Sequence, residues 1–461
     1  MRKISLTVLC LIFSFGAIGQ ELLTYEYFLE LVKDFHPVSK QAETTLRFGE
    51  QEMRIARGGF DPLLYGNYDQ KEFSETEYYR KKEAGLLVPT VGGVELKGVF
   101  EQNTGTYLNA ERTVPGNGLL AAGASVNLGQ GLFIDKRRAA LRQAEVYIDA
   151  TQAERQQILN DLYLEATQVY WYWAASFQNQ NLLEESVVLA EIRFEAVKES
   201  FFEGSLAAID TIEAYTQVLN RAFRLQSAEI AYFNATQELN TFLWDPENVP
   251  LDIAENSVPQ NVLEFIELDF DKEEMRALIN NHPLLRLADF ELNTLEIERR
   301  WKAEQLKPVM KVNYNFLSEA VGPLNASPFF ENNYKWGFTF QTSLFLRKER
   351  GGLGLVKAKL DFKQSDRELK SIQLRTKLES EINKFETLQR QLGVFNANIL
   401  GLTRLLEGEQ TRFQMGESSL FLINAREVTL LDSRLILNDL EANRKIAYSK
   451  MLNAAGLGFD F

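Results

Sequence analysis

The chain has 461 residues, 45% of them hydrophobic, and a formal charge of −14. That acidity speaks against a nucleic-acid partner, and beyond residue 19 no apolar run reaches the roughly 18 residues that a membrane-spanning helix requires. Any contact with a bilayer must therefore be made by strands.

Residues 1–19 read as a secretory signal peptide: Arg2 and Lys3, an apolar run from Ile4 to Phe15, and Ala17-Ile18-Gly19 as a small-x-small cleavage site before Gln20. The only cysteine, Cys10, falls inside that run, so the exported chain is expected to carry no disulfide and no thiol chemistry. A lipid anchor on Cys10 fits less well, because the cysteine would precede much of the apolar region. From Leu22 to about Gly58 the sequence reads helical. His36-Pro37 recurs as His282-Pro283, Pro62 as Pro308 and Asn67-Tyr68 as Asn313-Tyr314, each 246 positions later. The two histidines are thus repeat-related, and each is expected at a helix start beside its proline, not as a metal ligand.

Four strands follow from alternation of apolar and polar residues, at about 62–73, 119–130, 308–318 and 334–345. The clearest has Tyr334, Trp336, Phe338 and Phe340 against Lys335, Gly337, Thr339 and Gln341. Between the first two strands lie 34 extra residues, within an inserted loop or hairpin of about 74–118 that includes Gly92-Gly93 and the alternating run Val94 to Phe100.

Leu132-Phe133 returns as Leu344-Phe345 and Gly204 as Gly416, both at an offset of 212. Inside the first copy Leu183, Val187, Ala190, Phe194, Val197 and Phe201 step by 4, 3, 4, 3, 4. Their counterparts, Phe395, Ile399, Leu402, Leu406, Glu409 and Phe413, keep the seam with one polar interruption. This 3.5-residue period is that of helices wound on one another. A continuous helix over most of the stretch would be roughly 100 Å long. Gly204 and Gly416 are expected where the chain reverses into a second helix. Trp171 and Trp173 are expected to be packing residues, and Arg137-Arg138 an anchor at a membrane edge. The chain thus reads as a first repeat, 20–260, and a second, 261–461, each running helix, strand, strand, long helix, helix.

Four strands cannot close a barrel, since membrane barrels use at least about 8. Three copies would bring twelve. In that arrangement Tyr334, Trp336, Phe338 and Phe340 face lipid, while Lys311, Asn313, Lys335 and Gln341 face a watery lumen. The alternative is a soluble sheet packed on the helices.

The order of elements, the duplication, the junction Gly131-Leu132-Phe133-Ile134-Asp135-Lys136-Arg137-Arg138, and the turns Phe202-Glu203-Gly204 and Phe413-Gln414-Met415-Gly416-Glu417-Ser418-Ser419-Leu420 resemble TolC-like outer-membrane efflux proteins. The resemblance spans essentially the whole exported chain. It implies an α+β membrane protein: a homotrimer whose shared 12-stranded β-barrel in the outer membrane continues into a long α-helical barrel crossing the periplasm. It also implies docking, through the turns at Gly204 and Gly416, with a periplasmic adaptor (membrane fusion) protein and an inner-membrane pump. Such proteins carry acidic residues near the helical turns, where the tube narrows. The matching places are Asp210 and Glu213 in the first repeat but Leu422 and Ala425 in the second, which leaves Glu417 and Glu427 as further candidates for charge at the aperture.

A passive exit duct for small molecules or proteins is the function this implies. A secreted periplasmic coiled-coil scaffold or adaptor without a membrane barrel is the rival. No nucleophile–base set, phosphate loop or metal spacing is recognisable, so neither an enzyme nor a cofactor is expected.

Overall fold

The computed structural model describes residues 21–254, 256–319 and 333–459; the expected signal peptide and Cys10 lie outside the described residues. Two compact units form, and each draws on both sequence halves. One comprises Ala42–Gln157 and Ile279–Leu374, the other Met1–Gln41, Ile158–Leu278 and Arg375–Phe461.

A short strand, β1 (Glu21–Leu23), leads into α1 (Tyr25–Phe35) and α2 (Pro37–Gly58). Strands β2 (Leu63–Phe73), β3 (Thr76–Pro89), β4 (Val94–Thr104) and β5 (Leu119–Asn127) precede the 67-residue helix α3 (Lys136–Phe202) and its partner α4 (Ala208–Asn240). After β6 (Ser257–Pro259) and α5 (Lys272–Leu278) come α6 (Pro283–Glu304), β7 (Val309–Glu319), β8 (Tyr334–Gln341), the 68-residue α7 (Arg347–Gln414) and α8 (Leu420–Ala455). The two histidines do the same local work. His36 Nδ1 accepts from the Val38 amide at 3.2 Å and His282 Nδ1 from the Leu284 amide at 3.1 Å, so each ring caps the helix that its following proline opens.

In the first unit, six strands form one antiparallel sheet in the order β2-β3-β4-β5-β7-β8. This corrects the expectation of four strands per chain. The inserted residues 74–118 supply two full strands, each hydrogen-bonded to a neighbour outside the insertion: β3 to β2 and β4 to β5. Arg138 corrects a second expectation. It is 8% exposed, and it holds the strand-to-helix junction by bonding the Leu132 carbonyl at 2.9 Å, the Gly131 carbonyl and the Asp135 carboxylate. A guanidinium saturated in this way is a structural clamp and not a membrane-edge anchor.

In the second unit Trp171 and Trp173 are buried with Tyr170, Phe28, Val32 and Leu239. The Tyr170 hydroxyl donates to the Leu23 carbonyl at 2.7 Å and accepts from the Gln260 amide at 3.1 Å. It thereby fastens the ends of a parallel β1–β6 pair that the sequence reading did not foresee. Beneath Trp171, Lys445 Nζ lies 4.0 Å from the ring centroid and donates to the Val262 and Glu264 carbonyls, at 2.8 and 3.2 Å. The link between the sequence halves is thus stapled onto α8.

Candidate functional site

Residues opposite one another in an antiparallel pair share a face, so the register sorts every strand residue. Tyr334, Trp336, Phe338 and Phe340 stand against Phe316, Tyr314, Val312 and Met310. The same face continues through Ala122, Ala124 and Val126 of β5, then Phe100, Gly98 and Leu96 of β4, then Ala84, Leu86 and Val88 of β3, and reaches Leu64 and Tyr68 on β2. Its large side chains are exposed: 63% for Trp336 and 78% for Leu64 at opposite edges of the sheet. An apolar surface this wide and this exposed is unusual for a protein surrounded by water.

The other face carries Lys311, Asn313, Lys335 and Gln341 with Asn315, Ser125, Glu95, Glu83 and Asp69. Its charges are cross-linked between strands. Glu95 receives Arg137 at 3.0 Å and Lys311 at 3.1 Å, and the Tyr65 hydroxyl donates to Glu83 at 2.9 Å. Among the described residues both outer strands, β2 and β8, have a neighbour on one side only, which leaves two backbone edges open to further pairing.

At the helical turns Gly204 and Gly416 have φ of 80° and 75°, the left-handed region where glycine is nearly strain-free. Exposed apolar side chains surround them: Phe202, Ile209, Met415 and Phe421. The four acidic candidates sit in three different settings. Asp210 accepts from the Ala207 amide at 3.0 Å and so caps the start of α4. Glu417, on the second turn, is exposed, and its own carbonyl receives Arg412 at 3.2 Å.

Glu213 and Glu427 belong to one network. Asn424 Nδ2 donates to Glu213 at 3.0 Å, and its oxygen accepts from Arg193 at 3.4 Å. Arg193 also grips both oxygens of Glu427. Arg221 reaches the same carboxylate at 2.8 Å and the Ser186 carbonyl at 3.0 Å. Only 6% of the Glu427 side chain is exposed. Burial alone would raise its carboxyl pKa, but the hydrogen bonds and charges of Arg193 and Arg221 outweigh that and hold it below the usual carboxylate range. Glu427 therefore presents no free charge in this conformation; it ties α8 to α3 and α4. Neither arginine was singled out from sequence, since a residue in mid-helix gives no sign of which distant carboxylate it meets. The polar interruption of the seam is explained in the same way: buried Glu409 accepts from the Ser418 hydroxyl at 2.5 Å.

No family model and no curated relative matches the chain. Solved structures do. The outer membrane channel CmeC of Campylobacter jejuni is 13% identical, with 94% of this chain and 85% of that one covered and a TM-score of 0.66. The outer membrane protein VceC of Vibrio cholerae is 14% identical, with 94% and 96% covered and a TM-score of 0.67. The open state of the MtrE outer membrane channel of Neisseria gonorrhoeae is 13% identical, with 96% and 94% covered and a TM-score of 0.65. At such identities the likeness establishes the fold, which is that of these outer-membrane proteins along nearly the whole chain.

Proposed function

We propose that the chain is one subunit of a homotrimeric outer-membrane channel and periplasmic duct that exports small molecules or proteins passively. In this reading an adaptor of the membrane-fusion type and an inner-membrane pump dock at the helical turns around Gly204 and Gly416. The observation that carries it is the sheet: an exposed apolar face runs unbroken over all six strands, the opposite face is polar and ion-paired, and both edges are open. An open sheet with those faces cannot remain in lipid, where each unpaired backbone group costs several kcal/mol. Closure edge to edge with other copies removes the edges, puts the aromatic side chains of β8 against lipid and turns Lys311, Asn313, Lys335 and Gln341 to a watery lumen. The exposed Phe202, Ile209, Met415 and Phe421 support the turns as docking points.

Asp210, Glu213 and Glu417 are the carboxylates we assign to a cation-favouring aperture, with Glu427 holding the helices that frame it. The test is fractionation and electrophoresis. A heat-modifiable trimer recovered from outer membranes is expected; a monomer in the soluble periplasmic fraction would refute the proposal.

A further inference from the structure

We infer that the β3–β4 hairpin is part of the barrel wall, so that three copies close eighteen strands around a lumen wide enough for a helical hairpin. The inference rests on the trimeric channel proposed above and adds the strand number and the width of the passage.

Three observations place the hairpin in the wall. First, it is an integral member of the sheet: β2 has β3 as its neighbour and β5 has β4, so among the described residues only this hairpin joins β2 to the other strands. Second, it continues both faces. Leu86, Val88, Leu96 and Phe100 extend the exposed apolar face, while Glu83, Lys97 and Glu101 lie on the polar one. A hairpin folded over the mouth of a channel would have no need of an outward apolar belt in register with its neighbours. Third, its Thr90–Gly93 turn is tied down at the strand-to-helix junction. The Gly93 backbone passes so close to Arg138 that an added Cβ would meet the guanidinium at 3.1 Å, and Glu95 beside it bonds Arg137, on the first turn of α3, and Lys311, on β7. The hairpin therefore runs the full height of the sheet, with strands of 14 and 11 residues. The roughly 9–11 residues needed to cross a bilayer are available in both.

Width follows from strand number. With strands about 4.8 Å apart and tilted by about 40°, eighteen strands close a cylinder about 36 Å across the backbone, and twelve close one about 24 Å across. A layer of inward side chains about 5 Å deep on each wall leaves roughly 26 and 14 Å. A single helix with side chains is about 10–12 Å wide. The wider lumen passes two packed helices abreast and the narrower passes one.

Spin labelling of the full chain in lipid vesicles tests this, since its only native cysteine is Cys10 in the expected signal peptide. Nitroxides placed singly at Leu86→Cys and Leu96→Cys should be accessible to oxygen dissolved in the bilayer, and those at Glu83→Cys and Lys97→Cys to a water-soluble relaxant. A label at Phe338→Cys, outside the hairpin, reads the width. Three-fold copies on an eighteen-stranded wall have backbones about 31 Å apart, against about 21 Å for twelve strands. Excision of 76–104, which keeps β2 and β5 antiparallel, should shorten the measured distance by about 10 Å. Trimers with inter-copy spacing near 21 Å in the full chain, or water access on both faces of β3 and β4, would overturn the eighteen-stranded wall alone. The absence of any inter-copy distance would overturn the trimeric channel, and this inference with it. The full-chain distance decides the matter even if the excised variant does not fold.

Discussion

Removing Glu427 should loosen the helices next to the hairpin turns far more than removing a surface carboxylate. Its side chain and that of Arg221 are 6% and 4% exposed, and Arg193 is held from the other side. Glu427→Ala leaves two guanidiniums facing each other without their counter-charge, a change that costs about 3–5 kcal/mol in buried settings. Glu427→Gln keeps one carbonyl acceptor and loses only the charge, at about 1.5–3 kcal/mol. Because a membrane trimer does not unfold in one reversible step, hydrogen exchange of peptides covering Ser186, Arg221 and Glu427 is the appropriate assay. A loss of about 3 kcal/mol in local opening free energy speeds exchange roughly a hundredfold. Apolar replacement of all three groups, Arg193→Met, Arg221→Met and Glu427→Leu, should restore most of the protection, because it removes the unpaired charges along with the pair. The pH dependence has a definite sign. The folded carboxyl titrates below the ordinary 4.5, so its stabilisation is complete above that value and is lost as pH falls through the lower, folded value. The ratio of exchange rates between Glu427→Gln and the native chain should therefore shrink as pH drops below 4.5. Exchange in Glu427→Ala no faster than in the exposed control Glu191→Ala, or a pH-independent ratio, would refute the reasoning.

Lys445→Met should raise protease cutting and hydrogen exchange in the linker around Val262–Glu264, since two carbonyls lose their donor, at about 1–3 kcal/mol. Burial lowers the Lys445 pKa from 10.5 to about 8, so the native chain should gain protection relative to this variant as pH rises from 8 to 10.5; a flat difference would count against the buried amine. Gly416→Ala places a side chain at φ 75° with no neighbour in its way, so about 1–2 kcal/mol of backbone strain is the whole expected effect. It should appear as faster exchange in the turn with trimers intact, and unchanged exchange would sink the idea. Asp210→Asn combined with Glu213→Gln should reduce cation preference in single-channel recordings while the cap at Ala207 survives on the asparagine oxygen. Unchanged selectivity would remove both residues from the aperture.

The sequence carried the repeated features well because they repeat for a geometric reason. His36 and His282, Gly204 and Gly416, and the apolar seams recur at fixed offsets wherever two copies of one element make the same turn or pack at the same pitch. The β8 aromatic residues were legible for a related reason: period-two alternation is strongest where one face meets no protein. The alternating run Val94 to Phe100 marked a hairpin or loop in the insertion, but the place of β3–β4 within the sheet was not legible, because its polar face is not uniformly polar. Gly85 sits there under the Tyr65 ring, 2.6 Å from where a Cβ would be, between Glu83 and Leu87. Packing across the sheet chose glycine at that position, and the alternation was lost with it. The surroundings of the aperture candidates were less legible. Asp210 and Glu213 were matched by their distance from a glycine and Glu427 stood as a further source of charge, but the groups that face Glu427, Arg193 and Arg221, come from other helices, 234 and 206 residues away. Periodic sequence thus reports the scaffold, while the sites where helices meet obey a different rule. There an acidic residue near a turn is as apt to bind helices together as to face a passage, and only its partners distinguish the two.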